Sequence, residues 1–75
     1  MQTRPLSNIA HDILRDWANV NFAAKPYLAA MLQMDKVTDR YVYEDGRSIV
    51  RYFLANASTW RGPVAKVIKA ELRAL

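Results

Sequence analysis

The feature that most constrains this chain is an uncharged run, Pro26-Tyr-Leu-Ala-Ala-Met-Leu-Gln-Met34, set between Lys25 and Asp35 in a sequence whose charges are otherwise spread throughout. At about 100° per residue, Tyr27, Leu28, Met31, Leu32 and Met34 cover an arc of about 160°, and Ala29 and Ala30 leave only small surfaces on the rest of the circumference. A helix this apolar needs packing on more than one side, so the remaining segments are expected to cover it. The run from Tyr27 to Leu32 is far short of the roughly 20 apolar residues that a membrane span requires. The first fifteen residues hold Arg4, Asp12 and Arg15 and no apolar core region, and therefore predict no signal peptide.

The flanking segments carry helical spacing. Pro5 suits a first helical turn, where its missing N–H is not needed. Leu6, Ile9, Ala10, Ile13, Trp17 and Val20 then form one stripe, and Asn8, His11, Asp12, Arg15 and Asn19 fall opposite, which predicts a first helix over 5–19. A second helix is expected over 24–35, with Pro26 in its first turn. The short link makes the two antiparallel neighbours.

Residues 36–46 form the longest connection. Asp45-Gly46, flanked by Tyr41-Val42-Tyr43 and Ile49-Val50-Arg51-Tyr52, is a hairpin signal. Ile49, Val50, Phe53, Leu54 and Ala57 instead match a helical stripe, and Asp45 can cap that helix, so a third helix over 47–57 is preferred. Ser58 and Thr59 are good caps for a fourth helix over 60–74, with Pro63 in its first turn. Its apolar face is read as Trp60, Val64, Val67, Ile68, Leu72 and Leu75. The expected fold is all-α, a compact bundle of four short helices in a single domain over 5–75, preceded by a flexible tail, 1–4.

With 75 residues, one domain is all the chain holds, and the absence of cysteine excludes disulfides and thiolate metal sites. No catalytic constellation, cofactor motif or metal site is read. His11 lies on the polar face of the first helix, a turn from Arg15, and reads as a solvated histidine. Asp12 and Asp16 are one turn apart but lack further oxygen ligands. Gly46 and Gly62 are the only glycines, which excludes a glycine-rich phosphate loop.

The net charge of +4 argues against an acidic mimic of DNA and permits an acidic protein, nucleic acid or anionic lipid as partner. Two surfaces stand out. Lys66, Lys69 and Arg73 lie within about 60° of arc on the fourth helix, spacing that could follow phosphates. Arg40, Tyr41, Tyr43 and Arg47 are residue types enriched in protein interfaces. Glu71 and Arg61 project near the apolar stripe and call for partners: Arg47, Arg51 or Arg15 for Glu71, and Asp16 or Asp12 for Arg61.

Several stretches taken together are familiar: Arg4-Pro5-Leu6-Ser7, Asp16-Trp17, Pro26-Tyr27-Leu28, Asn56-Ala57-Ser58-Thr59-Trp60-Arg61-Gly62 and Ile68-Lys69-Ala70-Glu71-Leu72. The combination resembles a group of small proteins encoded by bacteriophages and other mobile elements, over nearly the whole chain. That group brings no established activity and hence no functional residues. The resemblance implies a setting, the bacterial cytoplasm, and accessory proteins that act against or in place of host machinery, inhibitors of host defence such as anti-CRISPR proteins among them. The expectation is a non-enzymatic binding module, acting on a protein as inhibitor or adaptor of a host complex. Nucleic-acid binding through the fourth helix is the alternative, and assembly as a homodimer is a third reading. No membrane partner is expected.

Overall fold

The structure is a computed structural model, and it describes residues 4–41 and 44–75. In chain order it holds α1 (Leu6–Asp16), a single 3₁₀ turn (Phe22–Ala24), α2 (Lys25–Met31), β1 (Arg40–Tyr41), β2 (Glu44–Asp45), α3 (Gly46–Ala55) and α4 (Pro63–Arg73). The fold is mostly helical. The all-α expectation needs one correction, because β1 and β2 pair antiparallel, Arg40 opposite Asp45 and Tyr41 opposite Glu44. No helix among the described residues is long and apolar enough to cross a membrane.

The central run is packed on two sides, as its composition requires. Leu28, Ala30, Met31 and Met34 are buried, and α2 packs against both α1 and α3. It is shorter than the predicted 24–35. The helix stops at Leu32, and single turns carry the chain to Met34, whose carbonyl accepts from the N–H of Ser7 at 2.9 Å. The N–H of Leu6 bonds the carbonyl of Asp35 at the same distance, so the start of α1 is tied to the end of the central run.

Two indoles set the limits of α1 and α4. Helix α1 ends at Asp16 rather than at 19, because Trp17 leaves helical geometry (φ −92°, ψ 93°) and enters the core. There it meets Trp60 and Phe53 in an aromatic cluster with centroids 5.8 to 6.4 Å apart. Trp60, expected as the first residue of the last helix, lies in the preceding loop, and α4 begins at Pro63. Gly62 makes the turn between them at φ 113°, a conformation that disfavours any side chain. Neither Ser58 nor Thr59 caps α4, since its N-cap position is Gly62.

Helix α3 matches its prediction closely. The Asp45 side chain accepts from the N–H of Ser48 at 2.8 Å, the expected cap. Gly46 has a different use from the hairpin turn that Asp45-Gly46 suggests. Its N–H bonds the Asp39 carbonyl at 2.7 Å, and a Cβ there would stand 2.8 Å from the backbone of Val37.

Candidate functional site

Helix α4 buries Ala65, Ile68 and Leu72. At about 100° per residue this leaves two free flanks: Val64, Val67 and Glu71 on one side, and Lys66, Lys69 and Arg73 on the other. The reading of Val64 and Val67 as core residues is corrected here, because Val64 is 41% and Val67 68% exposed.

The valine flank forms one wall of a groove of about 610 Å³, whose other wall is α1; it is lined by Val64, Val67, Ile68 and Pro63 and rimmed by charges. The rim is a hydrogen-bonded network. Arg4 donates to both carboxylate oxygens of Glu71, from Nε to Oε2 at 2.9 Å and from Nη2 to Oε1 at 2.7 Å. Its Nη1 donates to Asp12, which also accepts from Arg15 at 2.8 Å. The hydrogen bond from Arg4 holds the Asp12 carboxyl below the usual range, aided by the charge of Arg15, and the two carboxylates raise the guanidinium of Arg4 in turn. Asp16 accepts from the indole N–H of Trp60 at 2.8 Å.

Glu71 is thus paired as expected, but with Arg4, a residue assigned to the tail, and not with Arg47, Arg51 or Arg15. Arg61 is exposed and makes no ion pair among the described residues, while Asp12 and Asp16 are engaged elsewhere. The long-range reach of Arg4 left no periodic signal to read; only the polarity of Asp12, Asp16 and Glu71 at the edges of two apolar stripes hinted at a shared partner.

The opposite flank is built differently. Lys69 folds inward, donating to the carbonyls of Ala57 at 2.8 Å and Trp60 at 2.6 Å, with its ammonium 5.8 Å from the centre of the Trp60 ring. Burial pushes its pKa down, and the charges of Arg73 and Arg61 add to that shift. Lys66 and Arg73 remain exposed. The three residues of the predicted basic stripe therefore share a flank, but one of them is a clamp on the loop before α4.

Of the predicted face over 40–47, Arg40 and Arg47 both lie near Asp45, whose carboxylate feels their charges. Arg40 is exposed on β1, Tyr41 packs half-buried against the core, and Arg47 turns to the far end of α4, donating to the Leu75 carbonyl at 3.0 Å. Tyr43 lies outside the described residues. His11 is exposed, and its Nδ1 hydrogen-bonds the Ser7 carbonyl at 2.8 Å, a local contact within α1. No group of three or more His, Asp or Glu side chains able to hold a metal ion occurs among the described residues.

No family model matches the chain, and no curated protein or solved structure matches it. Fold and surface define a small, mostly helical globule whose last helix presents an apolar groove on one side and cations on the other.

Proposed function

We propose that this chain is a small non-enzymatic binding module that acts by protein–protein contact through the α1–α4 groove. The observation that carries the reading is the exposure of Val67 and Val64, 68% and 41%, side by side in a groove whose charged rim is already hydrogen-bonded. Apolar surface yields about 25 cal/mol per Å² when removed from water, so an unpartnered pair of valines in a concave site is a natural anchor point. Arg4 and Arg15 together balance the charges of Glu71 and Asp12, which leaves the rim preorganised for polar contacts.

The occupant we assign is an amphipathic helix of an acidic protein. Its apolar face meets Val64, Val67 and Ile68, and its acidic periphery meets exposed Arg15 on the groove's rim. The net charge of +4 favours such a partner and disfavours a second copy of this chain. Together with the resemblance to phage and mobile-element proteins, this supports a role as inhibitor or adaptor of a host complex in the bacterial cytoplasm.

A photo-reactive phenylalanine analogue at position 67 tests the reading. On irradiation in bacterial cells, one discrete protein adduct is expected from position 67 and none from position 25, which is also exposed. Adducts only between copies of the chain, or the same adducts from both positions, would overturn it.

A further inference from the structure

We propose that the other flank of α4, joined to one flank of α3, is a nucleic-acid backbone surface distinct from the protein-binding groove. Helix α3 buries Gly46, Ile49, Val50 and Phe53. Helical spacing then puts Tyr52 on one flank, where it packs on Tyr27 of α2 with centroids 5.5 Å apart, and Arg47 and Arg51 on the other. Arg47 reaches the carbonyl of Leu75, just beyond α4. At the opposite end, Lys69 is hydrogen-bonded to the loop that leaves α3 and feels the charges of Arg61 and Arg73. These contacts join the two ends of α3 to the cationic flank of α4, and Arg47, Arg51, Arg61, Lys66 and Arg73, carried on these segments, are each exposed.

Two observations make this a phosphate surface rather than a second protein site. The first is its excess of positive charge, offset at the Arg47 end by the nearby carboxylate of Asp45. Five of the seven carboxylates accept hydrogen bonds within the fold, and the three ion pairs among the described residues all sit on the α1–α4 side. The second is the lack of an anchor. Among the described residues, the large apolar side chains that are exposed are Leu14, Phe22, Tyr52, Val64 and Val67, and none belongs to these two helix flanks. Protein interfaces draw their energy from buried aromatic and aliphatic anchors, whereas backbone binding needs only placed cations. Lys66 and Arg73 are separated by two turns, about 10 Å along the axis, which spans about three phosphate steps of one strand. With no base-reading groups in the set, binding is independent of sequence.

The test is fluorescence anisotropy with labelled duplex and single-stranded DNA of about 20 nucleotides, at about 50 and 200 mM salt. The full chain is expected to bind at low salt and to lose affinity by a factor on the order of 10² to 10³ at the higher salt, as about four or five phosphate contacts require. The Lys66→Gln, Arg73→Gln double variant lowers the salt slope by about two, and Val67→Ser leaves it unchanged. Both variants change exposed side chains that donate no hydrogen bond among the described residues, and circular dichroism confirms folding. No binding at low salt, or an unchanged slope in the double variant, would overturn the proposal. So would competition by poly-glutamate as effective as that by DNA at equal charge, which would mark the surface as a site for acidic proteins. None of these outcomes touches the valine groove, which is tested through position 67.

Discussion

Trp60 lies parallel to Trp17, their ring centroids 5.8 Å apart and their planes within 15°, although the two are far apart in sequence. Phe53 meets both rings edge-on, and Trp60 also donates its indole N–H to Asp16 at the end of α1. This cluster fastens α1, α3 and the loop before α4. Trp60→Ala is expected to lower stability by about 3–5 kcal/mol, near the limit for a chain this small. Trp60→Phe, which keeps an aromatic ring but loses the N–H, is expected to lose about 1–3 kcal/mol. Denaturant titration followed by far-ultraviolet dichroism gives both values.

Gly46 is the tightest backbone contact among the glycines. A methyl group there meets the Val37 Cα and carbonyl oxygen at 2.8 Å, and these backbone atoms cannot rotate aside. Gly46→Ala is expected to destabilise by about 1–3 kcal/mol, the usual range for overpacking. At Gly62 nothing lies within 4 Å of the added carbon, so Gly62→Ala carries only the strain of a backbone at φ 113° and ψ 178°, about 1–3 kcal/mol. Thermal melts of the two variants separate a steric cause from a conformational one.

Acid should unfold this protein through a few identified carboxylates. Asp39 is held below the usual range by the N–H groups of Lys36 and Asp35, Asp45 by the N–H of Ser48, and Asp12 by Arg4. A carboxyl depressed in the fold contributes stability above its unfolded value, near pH 4, and that contribution is lost as pH falls through the lower folded value. Stability is therefore expected to decline below about pH 5. Asp45→Asn retains a good N-cap but removes the titration, so it should flatten the acid limb with little change at pH 7. Melting temperatures measured from pH 7 to about pH 3 check the sign and the window.

Lys69 and Lys66 stand one turn apart on the same helix flank and are expected to behave oppositely. Lys69→Gln breaks two hydrogen bonds from a charged donor to loop carbonyls and is expected to destabilise by about 1.5–3 kcal/mol. Lys66→Gln alters an exposed side chain and should stay within about 0.5 kcal/mol of the parent. Equal effects of the two changes on the denaturation midpoint would contradict the inward orientation of Lys69.

How much of this could be read from the chain follows from the range of each interaction. The four helices, the Asp45 cap and the doubly packed central run follow from local spacing and local chemistry, so periodicity exposed them. The helix ends did not follow, because Trp17 and Trp60 leave helical geometry to meet each other, and a contact 43 residues apart leaves no trace in a short window. The same holds for the site. The cationic flank of α4 was legible as i, i+3, i+7 spacing, yet that spacing could not distinguish Lys69, folded onto the carbonyls of Ala57 and Trp60, from exposed Lys66 and Arg73. The valine groove was hidden for a related reason. Val64 and Val67 have the hydrophobicity of core residues, and only the orientation of α4 against α1 shows that Ala65 takes the inward position instead.

The most direct test of the central claim, that the valine flank of α4 holds a protein partner, is quantitative capture from nuclease-treated bacterial lysate. Four immobilised proteins are compared: the parent chain, Val67→Glu, Val64→Ser, and the Lys66→Gln, Arg73→Gln double variant. The account predicts an acidic protein retained by the parent and by the double variant, and depleted at least about 10-fold with Val67→Glu, since a charge buried at an interface costs well over 1.4 kcal/mol. Retention of that protein by Val67→Glu at the parent level, with loss only in the lysine and arginine double variant, would contradict it.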